Sequence, residues 1–285
     1  MKVVGFGDNV VDKYLHTKTY YPGGNCLNFS VYAKKLNVEA SYLGVLGNDE
    51  MASHILETLN ELGIETSHCL QLDGETGCCE VILEDGDRKF VSWNGGGVTL
   101  EKPMVLGDKE LNYLKEFQLI HSGCYSKVES QVPKLGSLDA IISYDFSDDS
   151  EFRTNDYLKQ ICPHIDFALF SCYEQSVEEI KELIEKAASL GPKYVLATRG
   201  VKGAIFFDGE KFYEGHSETV ENPVDTMGCG DSFVTSFLIH LLKNGWSKNE
   251  PVDSQVISEG LRKAAVFSAE NCFVKGAFDH GKVFA

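Results

Sequence analysis

The densest run of chemically useful residues is Asn222-Pro223-Val224-Asp225-Thr226-Met227-Gly228-Cys229-Gly230-Asp231-Ser232-Phe233. An Asn-Pro turn leads to two glycines, then to an acid, then to an apolar pattern. Phe233, Phe237 and Leu241 recur at four-residue steps, as do Val234, Leu238 and Leu242, which predicts one buried face of a helix. Lys243 in the last turn and Gly245 after it are C-terminal signals. Gly228 to Asp231 therefore sits at a helix N-terminus, where unpaired N–H groups and the positive dipole end attract an anion and glycine lets the backbone approach it. A carboxylate beside an anion site repels the anion unless it has a task. Phosphoryl transfer gives it one: Asp231 takes a proton from an attacking hydroxyl while N–H groups hold the moving charge. The competing reading of Asp231 is an N-terminal cap.

A second set of polar residues lies near the start of the chain. Asp8 and Asp12 follow a short apolar strand, Val3 to Phe6, and can accept hydrogen bonds from ligand hydroxyls or simply end a strand and a turn. Gly23-Gly24-Asn25 opens a helix with Asn28 in its first turns. The glycines favour close ligand approach, and capping is the alternative. Gly5-Phe6-Gly7 lacks the third glycine of a dinucleotide fingerprint, which argues against a nicotinamide or flavin oxidoreductase. Histidines, His121 included, show no triad or metal spacing and read as structural or exposed.

The elements that must position these residues follow from periodicity. Strand patterns at Ala40 to Leu46, Gln118 to His121, Ala140 to Tyr144, Ile165 to Phe170 and Tyr194 to Thr198 alternate with helical ones, the clearest carrying Val177, Ile180, Leu183, Ile184 and Ala187 on one face. That alternation predicts an α/β, three-layer sandwich: a central, mainly parallel sheet with helices on both faces. Strand ends at Asp8, Asp145, Ser171 to Glu174 and Thr198 to Gly200 should converge on one crevice. Lys13 to Tyr20 reads as an exposed strand. Cys78 to Leu83 and Arg88 to Trp93 form a hairpin around Asp85-Gly86. Together they predict a small β-sheet lid over segments 13–20 and 78–93, whose edge could support a homodimer.

The chain's 285 residues suffice for one large domain, 1–285. Its net charge of −17 disfavours nucleic acid and anionic membranes as partners. Neither a signal peptide nor a membrane-length apolar run is read from it, and the nine cysteines show no metal-ligand or framework spacing, so reduced thiols in a cytoplasmic protein are expected.

Five blocks in order resemble the PfkB, or ribokinase-like, carbohydrate kinases: Pro22 to Asn28, Gly44 to Asp49, Thr198 to Ala204, Asn222 to Phe233 and Val274 to Ala277. The resemblance runs from about Val3 to Ala277. It implies an ATP- and magnesium-dependent sugar kinase with Asp231 as base and Gly228, Cys229 and Gly230 as the anion hole. It further implies sugar contacts at Asp8, Asp12, Gly23, Gly24, Asn25 and Asn28. The nucleotide is then expected at Ser171, Thr198, Gly200, Lys202, Gly203, Val274, Gly276 and Ala277, with Glu174 acting on magnesium through water and Asp225 a candidate for a monovalent cation such as potassium. Gly7 to Asp12, Gly-Gly-Asn, Tyr144 to Asp148 and Asp225-Thr226-Met227 look like the fructoselysine 6-kinases, which act on O6 of a fructosamine. The alternatives are a fructokinase or other sugar kinase of the family, or a non-catalytic binding relative. Two departures stand out. Ser171 occupies the place of a common Asn before Glu174, and Cys229 replaces a common alanine.

Overall fold

The computed structural model describes residues 1–84 and 87–284, and the side chains of residues 84, 87 and 88 fall outside that description. The chain runs β1 (Lys2–Gly7), β2 (Val10–Tyr14), β3 (Thr19–Gly23), α1 (Asn25–Lys35), β4 (Glu39–Leu46), α2 (Glu50–Glu61), β5 (Leu70–Gln71), β6 (Cys78–Glu84), β7 (Asp87–Trp93) and α3 (Gly97–Glu101). It continues with α4 (Asp108–Leu114), β8 (Leu119–Gly123), α5 (Val132–Gly136), β9 (Ile141–Asp145), α6 (Asn155–Ile161), β10 (Phe167–Ser171), α7 (Val177–Ala188) and β11 (Tyr194–Thr198). The last elements are β12 (Ala204–Phe207), β13 (Phe212–Gly215), α8 (Cys229–Lys243), α9 (Ser254–Asn271) and β14 (Lys282–Val283).

The main sheet has the order β13-β12-β11-β10-β9-β8-β1-β4-β5. From β11 to β5 every neighbour is parallel, and β12 and β13 add an antiparallel edge. Its strands read as near-continuous apolar runs because both faces are covered. Alternate residues point to opposite faces. Val3, Leu119, Phe167 and Leu169 pack with Phe29 of α1, Phe233 and Phe237 of α8 and Leu261 of α9. Val4, Ile120, Ile142 and Phe170 pack with Leu114 of α4, Leu158 of α6 and Ile180 and Ile184 of α7. The expected single buried face of α8 is an underestimate. The helix is buried from Ser232 to Leu241 because it lies between the sheet, α1 and α9.

A second sheet, β14-β3-β2-β6-β7, stands apart from the first, as the lid reading requires. One of its expected segments needs correction. Lys13 to Tyr20 is not a single strand: β2 ends at Tyr14, residues 15–18 turn with Lys18 left-handed at φ 49°, and β3 returns antiparallel. Asp12 is thus a lid-strand residue facing Tyr21 in register, not a turn acid. The β6–β7 hairpin is as expected, though its Asp85-Gly86 turn lies outside the described residues. The C-terminal β14, pairing with β3, had no signal in the sequence pattern. No described helix is long and apolar enough to cross a membrane.

The strand order reverses beside β1, with β4 on one side and β8 on the other. Ligands of such sheets gather at this reversal, beyond the carboxyl ends of the strands. Asp8, Asp145, Ser171 and Thr198 all lie at or just past those ends.

Candidate active site

A cleft of about 660 Å³ runs along these strand ends, roofed by Asp12, Cys79, Phe90 and Trp93 of the lid. Gly228, Gly230 and Asp231 form part of its wall. Gly228 caps α8 in the left-handed region at φ 72°, and a Cβ there would lie 2.2 Å from the Tyr32 hydroxyl. That turn is held from behind. The Tyr32 hydroxyl donates to the Ala277 carbonyl, while Asn271 Nδ2 donates to the carbonyls of Met227 (3.2 Å) and Ala277 (3.0 Å). A Cβ on Gly230, by contrast, would meet nothing within 4 Å. The first turn of α8 therefore presents bare backbone to open cleft, the arrangement that receives an anion.

The Asp231 carboxylate is gripped by two amides from the first turns of α1. Asn25 Nδ2 donates to Asp231 Oδ1 at 2.8 Å and Asn28 Nδ2 donates to Oδ2 at 2.6 Å. Residues three apart share a helix face, so the Asn25 and Asn28 spacing aims both at one target. Asn25 Nδ2 also donates to Asp145 Oδ2 at 2.7 Å. With both its donors on carboxylates, the Asn25 amide has one orientation, and its Oδ1 accepts from His121 Nε2 at 3.0 Å. His121 Nδ1 then accepts from Ser143 Oγ at 3.1 Å. Burial drives the His121 pKa down to about 3, so the ring is neutral and this tautomer is fixed. His121 stacks on Phe29 and is a member of the site network, a role the sequence reading missed. Its signal was its place: a polar residue near the carboxyl end of a parallel strand.

Asp145 is the other acid in this network. Burial first, then the charges of Asp231 and Asp8, raise its pKa to about 7, against the hydrogen bond from Ser147 N–H. Asn28 Oδ1 is buried and has no partner among the described residues. A buried acceptor left unpaired beside a cleft is a place for a ligand hydroxyl.

Asp8 serves the fold as well as the cleft. Gly24 caps α1 at φ 109° without a side chain, and the Asp8 carboxylate takes over, accepting from the N–H groups of Asn25 (2.6 Å) and Cys26 (3.3 Å) and from Ser126 Oγ (2.9 Å). Gly24 has room for nothing larger, since a Cβ would lie 2.7 Å from Asn9 Cα. Asp8, Asp12, Asp145, Asp148 and Asp231 line the cleft, with no lysine or arginine among its described lining residues.

The expected nucleotide residues divide. Ser171 and Thr198 line the cleft; Gly200, Lys202, Gly203, Val274, Gly276 and Ala277 do not. Gly276 and Ala277 are buried behind the Gly228 turn, so the structure makes them its support. Lys202 Nζ donates to the Tyr173 carbonyl, and Glu174 is exposed on the bend after β10. Gly23 lies beside Asp12, whose carboxylate a Cβ would crowd at 2.6 Å. Asp225 is fully engaged in tying parts together: it accepts from the Tyr14 hydroxyl of the lid (2.6 Å), from Gly276 N–H (2.9 Å) and from Met227 N–H (2.9 Å). Lid, anion turn and the 274–277 segment meet on this one carboxylate.

Comparison with known proteins identifies the family and the fold. The model of the pfkB family of carbohydrate kinases matches residues 1–277. Fructosamine kinase FrlD of Bacillus subtilis (strain 168) is 39% identical over 283 residues, covering 99% of this chain and 94% of that protein. Fructoselysine 6-kinase of Escherichia coli (strain K12) is 29% identical over 259 residues, covering 91% and 94%. Among solved structures, fructokinase with bound ATP from Xylella fastidiosa matches with a TM-score of 0.78 at 18% identity, over 98% of this chain and 94% of that one, a likeness of fold.

Proposed function

The chain belongs to the pfkB family of carbohydrate kinases, and from that premise we propose that it transfers the γ-phosphoryl group of ATP to O6 of fructoselysine or a related fructosamine, with Asp231 as general base. The observation that carries this reading is the junction of Asp231 with the open first turn of α8. One short segment supplies a proton acceptor and, beside it, N–H groups for the phosphoryl oxygens. Asn25 and Asn28 hold both carboxylate oxygens, fixing the direction from which the sugar hydroxyl must come. A carboxylate is a weak base, so it takes the proton as charge develops on the attacking oxygen. The lid excludes water that would otherwise accept the phosphoryl group.

The sugar is expected against Asp8, Asp12, Gly24 and Asn28, with the unpaired Asn28 Oδ1 accepting from a hydroxyl. The nucleotide is expected beyond Asp231, at Ser171 and Thr198 and along the turn to Gly203. Magnesium, when bound with the nucleotide, would supply charge neutralisation on the phosphates, and the exposed Glu174 is the residue that would hold it through water. The named relatives motivate the aminated substrate, and the cleft's charge supports it: five acidic side chains, with no lysine or arginine among the described lining residues, favour a sugar bearing a protonated amine over a neutral ketose. Exposed Phe90 and Trp93 on the lid offer apolar surface to the tail, and β7, an edge strand, is where a second copy of the chain would pair.

A panel of fructosamines and free sugars, assayed with ATP and magnesium, tests the proposal. Fructoselysine should give the highest kcat/KM. A far higher value for free fructose would overturn the substrate and leave the kinase; no ATP-dependent phosphorylation of any sugar would overturn both.

A further inference from the structure

Behind the anion turn two thiols face each other. Cys229 is the first residue of α8 and Cys272 ends α9, and their Sγ atoms are 3.2 Å apart. Both are reduced and half-buried, so a small molecule can reach them. The segments that carry them are already joined by backbone: the Cys272 carbonyl accepts from the N–H groups of Val224 (2.8 Å) and Asp225 (3.2 Å), and the Cys229 carbonyl accepts from Ser268 Oγ of α9 at 2.8 Å. A disulfide needs a sulfur separation of about 2.05 Å, so the pair closes by an approach of about 1 Å.

We propose that Cys229 and Cys272 are a modification site, forming a reversible disulfide that switches off the enzyme by displacing the first turn of α8. The loss of activity rests on the kinase reading above; the bond itself does not. The Cys229 hydrogen bond, outweighing burial, brings the Cys272 pKa down to about 7, so much of this thiol is ionised at neutral pH. The oxidant is a small-molecule disulfide, R–S–S–R. Cys272 thiolate attacks one of its sulfurs, breaking that S–S bond, and the expelled RS⁻ takes up the proton Cys272 gave to water. Cys229 then loses its proton and displaces the second RS⁻ from the mixed disulfide. Two protein thiols are oxidised, one small disulfide is reduced, and two RSH leave. Drawing Cys229 towards α9 shifts the N–H groups beside Gly228, and a misplacement of about 1 Å in a catalytic array can cost about 10²-fold in rate.

The test uses the full chain with oxidised glutathione as probe. Trypsin should release peptides 212–243 and 264–275, each with a single cysteine, joined in the oxidised protein and separate after dithiothreitol. Oxidation should lower kcat by about 10²-fold, reversibly. Cys272→Ser, which keeps the backbone ties to residues 224 and 225, should stay active and lose this sensitivity. Failure of the two peptides to join overturns the site, whatever the activity. Joined peptides with unchanged kcat, or equal inhibition of Cys272→Ser, overturns the switch. Turnover of the reduced wild-type enzyme, measured first, tests the kinase reading separately.

Discussion

Asp231→Asn separates a catalytic base from a purely structural carboxylate, because the structure says how the new amide would be accommodated. The wild-type carboxylate accepts from Asn25 at 2.8 Å and Asn28 at 2.6 Å. An Asn brings one acceptor and one donor to these two donors. Asn25 cannot turn over, since its Oδ1 holds His121 and its Nδ2 also serves Asp145. Asn28 can, because its Oδ1 has no partner among the described residues and would accept from the new Nδ2. Both contacts survive as neutral hydrogen bonds, each about 1 kcal/mol weaker than a charge-assisted one. Removing the charge also relieves Asp145, whose pKa Asp231 helps to raise. The net destabilisation is therefore expected at about 1–2 kcal/mol or less, a Tm loss of a few degrees for a chain of this size. Loss of the proton acceptor should lower kcat by about 10²–10⁴-fold, equivalent to about 3–5 kcal/mol of barrier. Circular-dichroism melting, ATP binding by calorimetry and steady-state kinetics resolve the two effects. kcat and kcat/KM should fall together. A variant that melts normally and turns over at a near-wild-type rate would refute the base assignment and leave Asp231 a first-turn acid that anchors Asn25 and Asn28.

The two glycines of the anion turn should respond oppositely. Gly228→Ala places a Cβ into the Tyr32 hydroxyl at a left-handed position, so it should lower stability by about 1–3 kcal/mol and abolish activity. Gly230→Ala meets no protein atom and lies inside α8, so it should hold or raise Tm, by up to about 1 kcal/mol of stability, yet lower kcat because the methyl enters the cleft. Loss of Tm in Gly230→Ala with intact kcat would show that the open space is not the anion site. The Asp145 pKa, raised to about 7 in the folded chain against about 4 for an unstrained carboxylate, sets a pH dependence. The folded form holds the proton more tightly, so this contribution is complete below about pH 4 and is lost as pH rises through 7. Asp145→Asn should flatten the fall of Tm between about pH 4 and 7; an unchanged slope would place the titration elsewhere.

What the sequence made legible was whatever is local. Gly228-Cys229-Gly230-Asp231 before an apolar helix states a helix N-terminus, an open backbone and a carboxylate within four consecutive positions. The spacing of Asn25 and Asn28 states that two amides share a face. The parallel core was legible for the same reason, since each βαβ unit carries its own periodicity. The partners were not. Nothing near Asn25 in the chain announces that its amide meets Asp231 and Asp145 and is locked by His121, because those contacts span 206, 120 and 96 residues. The same holds for Tyr14 with Asp225 and for Cys229 with Cys272. The lid shows the limit from the other side. Lys13 to Tyr20 has strand-like composition, yet the turn at Lys18 divides it, and the pairing that makes β2 and β3 a sheet comes from β6 and from residues 282–283 at the far end of the chain. A catalytic segment can thus be read from one stretch, whereas its orientation depends on polar contacts made only after the sheet has brought β1, β8, β9 and the start of α8 together. Those contacts are also where pKa values move, as at Asp145 and His121, so the residues hardest to find from sequence are the ones that set how the site responds to protons.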